Sequence, residues 1–312
     1  MPSPTPSGAP SGSRRAVTVR VPATSANLGP GFDALGVALD WTARITLSPP
    51  TEGAPTGSTD PIAAAIEGMA TAAAAALFEA CGEPVPVFRA LYEGDMPVGR
   101  GLGMSAAARA AGLVAANAML GGRLSDEEIV PLAVHLEGHG DNIIPALFGG
   151  LQVVVHGAGH SAVHVPIAPP EDLRLALLIP EFSMPTEESR KRLPVSLTRH
   201  DAVANIGRAA LVVAALTQRR YDALDVAVED TLHQPARSQL FPAMYPIFEA
   251  AREAGAYGAY LSGGGSTVAA FVSPDLADAV AAAMLRRCGE HGVGAVTRVV
   301  AMSGTGAQVV DQ

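Results

Sequence analysis

The stretch Asp95–Gly121, DMPVGRGLGMSAAARAAGLVAANAMLG, decides how the rest of the chain is read. It opens near Pro97, carries glycine at 99, 101 and 103, and then turns into an alanine-rich run. Glycine adopts backbone angles that other residues resist, and it lets a ligand come close to the main chain. The alanine run predicts a helix over Ser105–Met119. The first amides of a helix lack partners, and its dipole favours an anion there. A glycine-rich loop entering a helix is therefore a candidate phosphate cradle. An ordinary loop before a core helix looks the same, so the remaining sequence has to decide.

Upstream of that stretch, Ala16–Val21 alternates like a strand and ends in the turn-rich PATSANLGPGFD at 22–33. Leu35–Leu39 and Ala43–Leu47 predict two more strands, and Ile62–Cys81 a helix stopped by Gly82. Residues 48–61 predict an exposed loop, and Val85–Tyr92 a strand feeding the glycines. Downstream, Ser125 and Glu128 form a capping box for a helix through about Leu136. Strands follow at Gly150–His156 and Leu173–Pro180, and Thr186–Leu193 reads as a charged, mobile segment. Helices are expected at 198–217, 220–230 and 243–254. A strand, the loop SGGGS and a second strand then span 256–272, and a helix at 275–288 and a strand at 294–301 close the order. The order is α+β and lacks the regular βαβ alternation of a doubly wound sheet.

Composition removes several classes. With 312 residues, 48% hydrophobic and 16% charged, the chain can build a sizeable core. A net charge of −9 argues against nucleic acid or an anionic membrane as the main partner. Lys191 is the only lysine, so the phosphate-loop signature GxxxxGK[ST] and the protein-kinase VAIK lysine are both missing. Cys81 and Cys288 lie far apart and fit reduced thiols in the cytoplasm. Residues 1–15 read as a disordered tail, and no apolar run reads as long enough to span a membrane.

Other clusters carry chemistry. Ser105 stands where it could cap the helix and offer a hydroxyl to phosphate-bound Mg²⁺. Gly103–Ala107 resembles the GxSxG elbow of hydrolases, but VGRGLG before it is a poor strand. Glu137-Gly-His-Gly-Asp-Asn142 gathers acid, imidazole and amide groups within six residues. His135 and His139 do not fit the HExxH zinc pattern, whereas a glutamate for Mg²⁺ and an amide for a hydroxyl suit phosphoryl transfer. Ser262-Gly-Gly-Gly-Ser266 is a hairpin or a second close approach of backbone to ligand. Arg190 and Arg237 lie in turn-like sequence, and an arginine fork binds carboxylates.

In order and spacing these strings, with VPATSANLGPGFDALGVAL, LEGHGDNIIPALFGGLQV, LHQPAR and GAYLSGGGSTV, resemble the GHMP kinases, most closely their homoserine-phosphorylating branch. The resemblance covers residues 16–302. It implies a ribosomal S5 domain 2-like N-terminal half that binds ATP, residues 16–167, and a ferredoxin-like C-terminal half, residues 168–312. It implies phosphorylation of the small molecule L-homoserine by ATP with Mg²⁺, in a family that often forms homodimers. Pro97, Gly99, Arg100, Gly101, Leu102, Gly103, Met104, Ser105, Ala106 and Ala107 would cradle the triphosphate. Ser105 and Glu137 would hold Mg²⁺. Asn27 and Asp33 would face the substrate amine, Arg190 and Arg237 its carboxylate, and Gly263 would lie against the substrate. Asn142, with His139 nearby, would orient the hydroxyl, and Asp141 stands beside it as a candidate base.

Two positions depart from the family pattern. Met104 replaces the first of two serines, and Gly140 replaces proline in the HPDN string. These departures leave two other readings open: a GHMP kinase for another alcohol, and a non-catalytic nucleotide-binding protein on the same fold.

Overall fold

The structure is a computed structural model that describes residues 15–49, 58–157, 162–184 and 186–311. The tail expected over 1–15 lies outside these residues apart from Arg15, as do residues 50–57 of the expected loop.

Strands β1 (Val17–Ala26) and β2 (Leu35–Ser48) form a long antiparallel hairpin. Val17, Val19 and Val21 are buried, as their alternation requires, and Val19 faces Ile45 across the ladder. The β2 strand is 14 residues long, so its two halves pair with different strands. Its end pairs with β3 (Arg89–Glu93) and its start with β4 (Leu151–His156), which continues to β5 (Ala162–Ile167). Pro84 and Pro86 lack the N–H a ladder needs, so the strand expected from Val85 begins only at Arg89. Periodicity missed β5, an edge strand whose Val163 and Val165 are exposed rather than buried.

Helices α1 (Pro61–Ala80), α2 (Met104–Met119), α3 (Asp126–Glu137) and α4 (Gly140–Phe148) belong to this half. Pro61 sits in the first turn of α1, and Asp60 caps it by accepting from the amides of Ile62 and Ala63. Contrary to the sequence reading, α1 is long and apolar enough to cross a membrane by length and composition. Its Ile66, Ala70, Ala73, Ala74, Leu77 and Phe78 are instead buried in the core. Burying a side chain such as Leu77 or Phe78 contributes about 2–3 kcal/mol. Alanine on both helices lets α1 and α2 approach closely: a Cβ on Gly112 would lie 2.1 Å from the Ala70 carbonyl oxygen.

The second sheet is antiparallel, in the order β7 (Gly258–Leu261), β8 (Val268–Val272), β6 (Arg174–Pro180), β9 (Ala295–Ala301). Taken along the chain, its four strands lie in the order 2-3-1-4. Between the first and second come α5 (Thr186–Lys191), α6 (Arg199–Thr217), α7 (Leu224–Ala227), α8 (Gln234–Ser238) and α9 (Met244–Glu253). Between the third and fourth comes α10 (Ala277–Glu290). That arrangement is ferredoxin-like, in keeping with the fold class the sequence implied. The segment expected to be mobile at 186–193 holds α5, and the helix expected at 220–230 shrinks to a 3₁₀ turn and α7.

Ile167 ends β5, and residue 168 opens the connection to β6. The final strand β10 (Gln308–Asp311) nevertheless returns to pair with β1, Val19 facing Val309. The last strand among the described residues thus belongs to the first sheet.

Candidate active site

The two halves meet where the glycine loop faces the β7–β8 turn. The Ser262 hydroxyl donates to the Gly101 carbonyl at 2.6 Å, and the Thr267 amide donates to the Arg100 carbonyl at 3.0 Å. Ser25 on β1 joins the contact through the Ser262 hydroxyl at 2.8 Å and the Tyr260 hydroxyl at 3.0 Å. Gly101 has φ +77°, and a Cβ there would sit 2.0 Å from the Ser262 carbonyl oxygen. Only glycine fits such a position. Gly101→Ala is therefore expected to destabilise the fold by more than about 2 kcal/mol and to lower Tm by at least about 4 °C. A thermal melt within a degree of the parent would contradict this closure.

Gly103 (φ +67°) is the N-cap of α2, and no side chain caps that helix. Its first amides are left without a capping side chain, the arrangement that favours an anion. A Cβ on Gly103 would lie 1.8 Å from the Thr24 hydroxyl, which donates to Asn142 Oδ1 at 2.8 Å. Ser105 does not cap the helix. It lies inside the first turn and donates to Glu137 Oε1 at 2.8 Å, while Arg109 pairs with Oε2.

These groups line a cleft of about 440 Å³ that also contains Asn27, Phe32, Asp33, His139, Asp141, Asn142, Arg190, Arg237 and Gly263. Of the expected loop residues, Gly99, Gly101, Leu102, Gly103, Met104 and Ser105 line it. Pro97 does not, Arg100 turns away to the Glu181 carbonyl, and the side chains of Ala106 and Ala107 are buried in the core. Met104 is 3% exposed and packs into that core. A larger hollow of about 530 Å³ lies among α6, α7 and α9. Its charges already pair across the wall, Arg208 with Glu229 and Arg252 with Asp225, so the cleft is the better candidate despite its smaller size.

The turn after β1 is held in an unusual backbone. Asn27, Leu28 and Asp33 have φ of 69°, 47° and 55°, which cost free energy for non-glycine residues and cluster at functional sites. Asn27 Oδ1 accepts from the Asp33 amide at 3.1 Å, and its Nδ2 donates to the Gly263 carbonyl at 2.9 Å. Asn205 donates to the Pro30 carbonyl at 3.2 Å. Asn27, 2% exposed, thus positions Asp33 and ties it to the β7–β8 turn.

Asp33 and Arg190 form a two-pronged ion pair at 2.6 and 2.9 Å, so the two residues expected to take opposite ends of an amino acid hold each other. That bond raises the pKa of Arg190. Arg237 is 1% exposed. Its Nη1 donates to His233 Nδ1 at 2.8 Å and to the Gly263 carbonyl at 3.1 Å, while its Nε has no partner. Burial, then the neighbouring Arg190, brings its pKa down to about 10, so it stays cationic at neutral pH. Burial also pushes His233 to about 4. The neutral ring donates from Nε2 to the Gly29 carbonyl at 2.7 Å and leaves Nδ1 free to accept from Arg237.

His139 Nδ1 contacts Asp141 Oδ1 at 2.6 Å, and Asn142 Nδ2 reaches the same oxygen at 3.4 Å. Burial works against the charged imidazolium, but the Asp141 carboxylate, with Glu137 and Asp33 near, outweighs it and raises the His139 pKa. Asp141 is 2% exposed, and its Oδ1 already meets both His139 and Asn142. Sequence reasoning missed Thr24, Arg109 and His233. The signals available were the i, i+4 spacings of Arg109 after Ser105 and of His233 before Arg237.

A glycine loop, an uncapped helix start, a Ser–Glu pair and an Asp–Arg–Arg cluster in one cleft describe a small-molecule phosphotransferase. The chain belongs to the GHMP kinase family: the family's N-terminal domain matches residues 68–150 and its C-terminal domain residues 212–291. Among its relatives, the homoserine kinase of Desulfitobacterium hafniense is 39% identical over 306 residues, 94% of this chain and the whole of that protein. The solved homoserine kinase of Cytophaga hutchinsonii superposes with a TM-score of 0.83 at 26% identity, over 97% of this chain and 100% of that one. The Methanococcus jannaschii mevalonate kinase shares the fold, with a TM-score of 0.64 at 16% identity over 94% and 99%.

Proposed function

We propose that the protein transfers the γ-phosphoryl group of ATP to the hydroxyl of L-homoserine, giving ADP and O-phospho-L-homoserine. The observation that carries this reading is the cluster of Asp33, Arg190 and Arg237 lining the same cleft as the glycine loop. A zwitterionic amino acid offers an ammonium to Asp33 and a carboxylate to the two arginines. It replaces the bond these groups make with each other by equivalent bonds to substrate. The unpartnered Nε of buried Arg237 is a donor for that carboxylate. An alcohol without an amine would leave Asp33 with Arg190 and satisfy less of the site.

The Ser105 hydroxyl and the Glu137 carboxylate, hydrogen-bonded at 2.8 Å on the cleft wall, offer the oxygen donors that Mg²⁺ takes. They are the residues that would hold the ion, which neutralises phosphate charge when bound. The α2 N-terminus and the glycine-loop amides bind and orient the polyphosphate. Asn142, fixed by Thr24 and Asp141, would position the hydroxyl for attack. Phosphoryl transfer through a loose transition state needs alignment and charge neutralisation more than a strong base. This suits an Asp141 carboxylate already engaged by His139. Free Cys81 and Cys288 support a cytoplasmic enzyme.

An ADP-release assay across L-homoserine, mevalonate and simple sugars tests the assignment. Turnover is expected with homoserine and at background with the others. Homoserine turnover no higher than that of the other alcohols would overturn it.

A further inference from the structure

Among the described residues, three arginines line the cleft: Arg109, Arg190 and Arg237. Arg190 is engaged with Asp33, and Arg237 with His233 and the Gly263 carbonyl, so both belong to the amino-acid cluster. Arg109 stands apart from that cluster. It lies four residues after Ser105 on α2, the helix that starts at the glycine loop, so the two side chains leave the same helix face. Both reach Glu137: Ser105 bonds Oε1 and Arg109 bonds Oε2. Glu137 is 5% exposed at its side chain and Arg109 25%, so the arginine is the more exposed partner, with access to the cleft. The chain's only lysine, Lys191, does not line the cleft and offers nothing to a phosphate there.

We propose, building on the kinase reading above, that Arg109 is a polyphosphate-binding residue held in reserve by Glu137. Without nucleotide its guanidinium neutralises a buried carboxylate. With nucleotide bound, a non-bridging phosphate oxygen takes the guanidinium, and Glu137 is released to serve as a metal ligand. No covalent bond changes and charge is conserved, because one carboxylate–guanidinium contact is exchanged for a phosphate–guanidinium contact. Arginine suits the exchange: it stays charged in both states, and its planar fork fits carboxylate and phosphate alike.

The competition shows most directly without metal, where Arg109 chooses between Glu137 and phosphate alone. ATP binding in EDTA by calorimetry should weaken about tenfold in Arg109→Met, the loss of one charge-assisted contact. Arg109→Lys should fall between the parent and Arg109→Met. Glu137→Gln removes the competing charge and should tighten metal-free ATP binding several-fold, the opposite of what a purely structural ion pair would give. If Arg109→Met melts far below the parent, the Lys and Gln variants carry the test. Metal-free ATP affinity unchanged in Arg109→Met, or weakened in Glu137→Gln, would overturn the proposal and leave the kinase reading standing. A parent protein that binds no ATP with or without Mg²⁺ would overturn both.

Discussion

Glu137→Ala is expected to lower kcat for homoserine phosphorylation at least about 10³-fold while the protein stays folded. The carboxylate is one of the two groups suited to Mg²⁺, and neutralising charge on the transferring phosphoryl group is worth several kcal/mol, each 1.36 kcal/mol being a factor of ten. The substitution also frees Arg109, whose side chain is a quarter exposed and can turn to water, so the fold should survive. The measurement is steady-state turnover at saturating ATP and homoserine, with a thermal melt as control. Activity within tenfold of the parent would remove Glu137 from the reaction.

Arg237→Met is expected to act on the amino-acid substrate instead. Losing a buried, charged donor to a carboxylate costs about 3–4 kcal/mol, which is about 10²–10³ in kcat/KM. Most of it should fall on the KM for homoserine, with the KM for ATP within a few-fold of the parent. The variant also deprives His233 Nδ1 of its donor and leaves the Phe32 ring without the guanidinium carbon 5.5 Å from its centre. Some loss of stability should accompany the kinetic effect. Arg237→Lys restores charge without the fork and should recover only part of the affinity. An unchanged KM for homoserine would take Arg237 out of substrate binding.

How far the sequence reaches can be judged from particular residues. Gly99, Gly101 and Gly103 before an alanine run carry their own explanation, because left-handed backbone is a local property. The alternation of Val17, Val19 and Val21 is local too. The β10 strand escaped notice because four residues of mixed exposure carry no period, and what fixes them is β1, nearly three hundred residues earlier. Arg109 interrupts an alanine-rich run, and nothing in its neighbourhood names Glu137 as its partner. Asp33 and Arg190 were legible as charges of opposite sign but not as a pair, because they stand 157 positions apart. Met104 stood out as a departure from the family's serine, and the fold gives it a place as a buried apolar side chain.

The amino-acid sequence by itself therefore determined most of the elements, the candidate phosphate loop, the α+β class and the inventory of chemical groups. Each of these rests on propensities, periodicities and spacings within a few dozen residues. Only the tertiary structure decided which groups share the cleft and in what state they stand. It joins Ser105 and Arg109 to one carboxylate, Asp33 to Arg190, and a neutral His233 to a buried Arg237. Those pairings arise because the fold removes these charges partly or wholly from water, and a charge so removed finds a partner wherever the fold brings one.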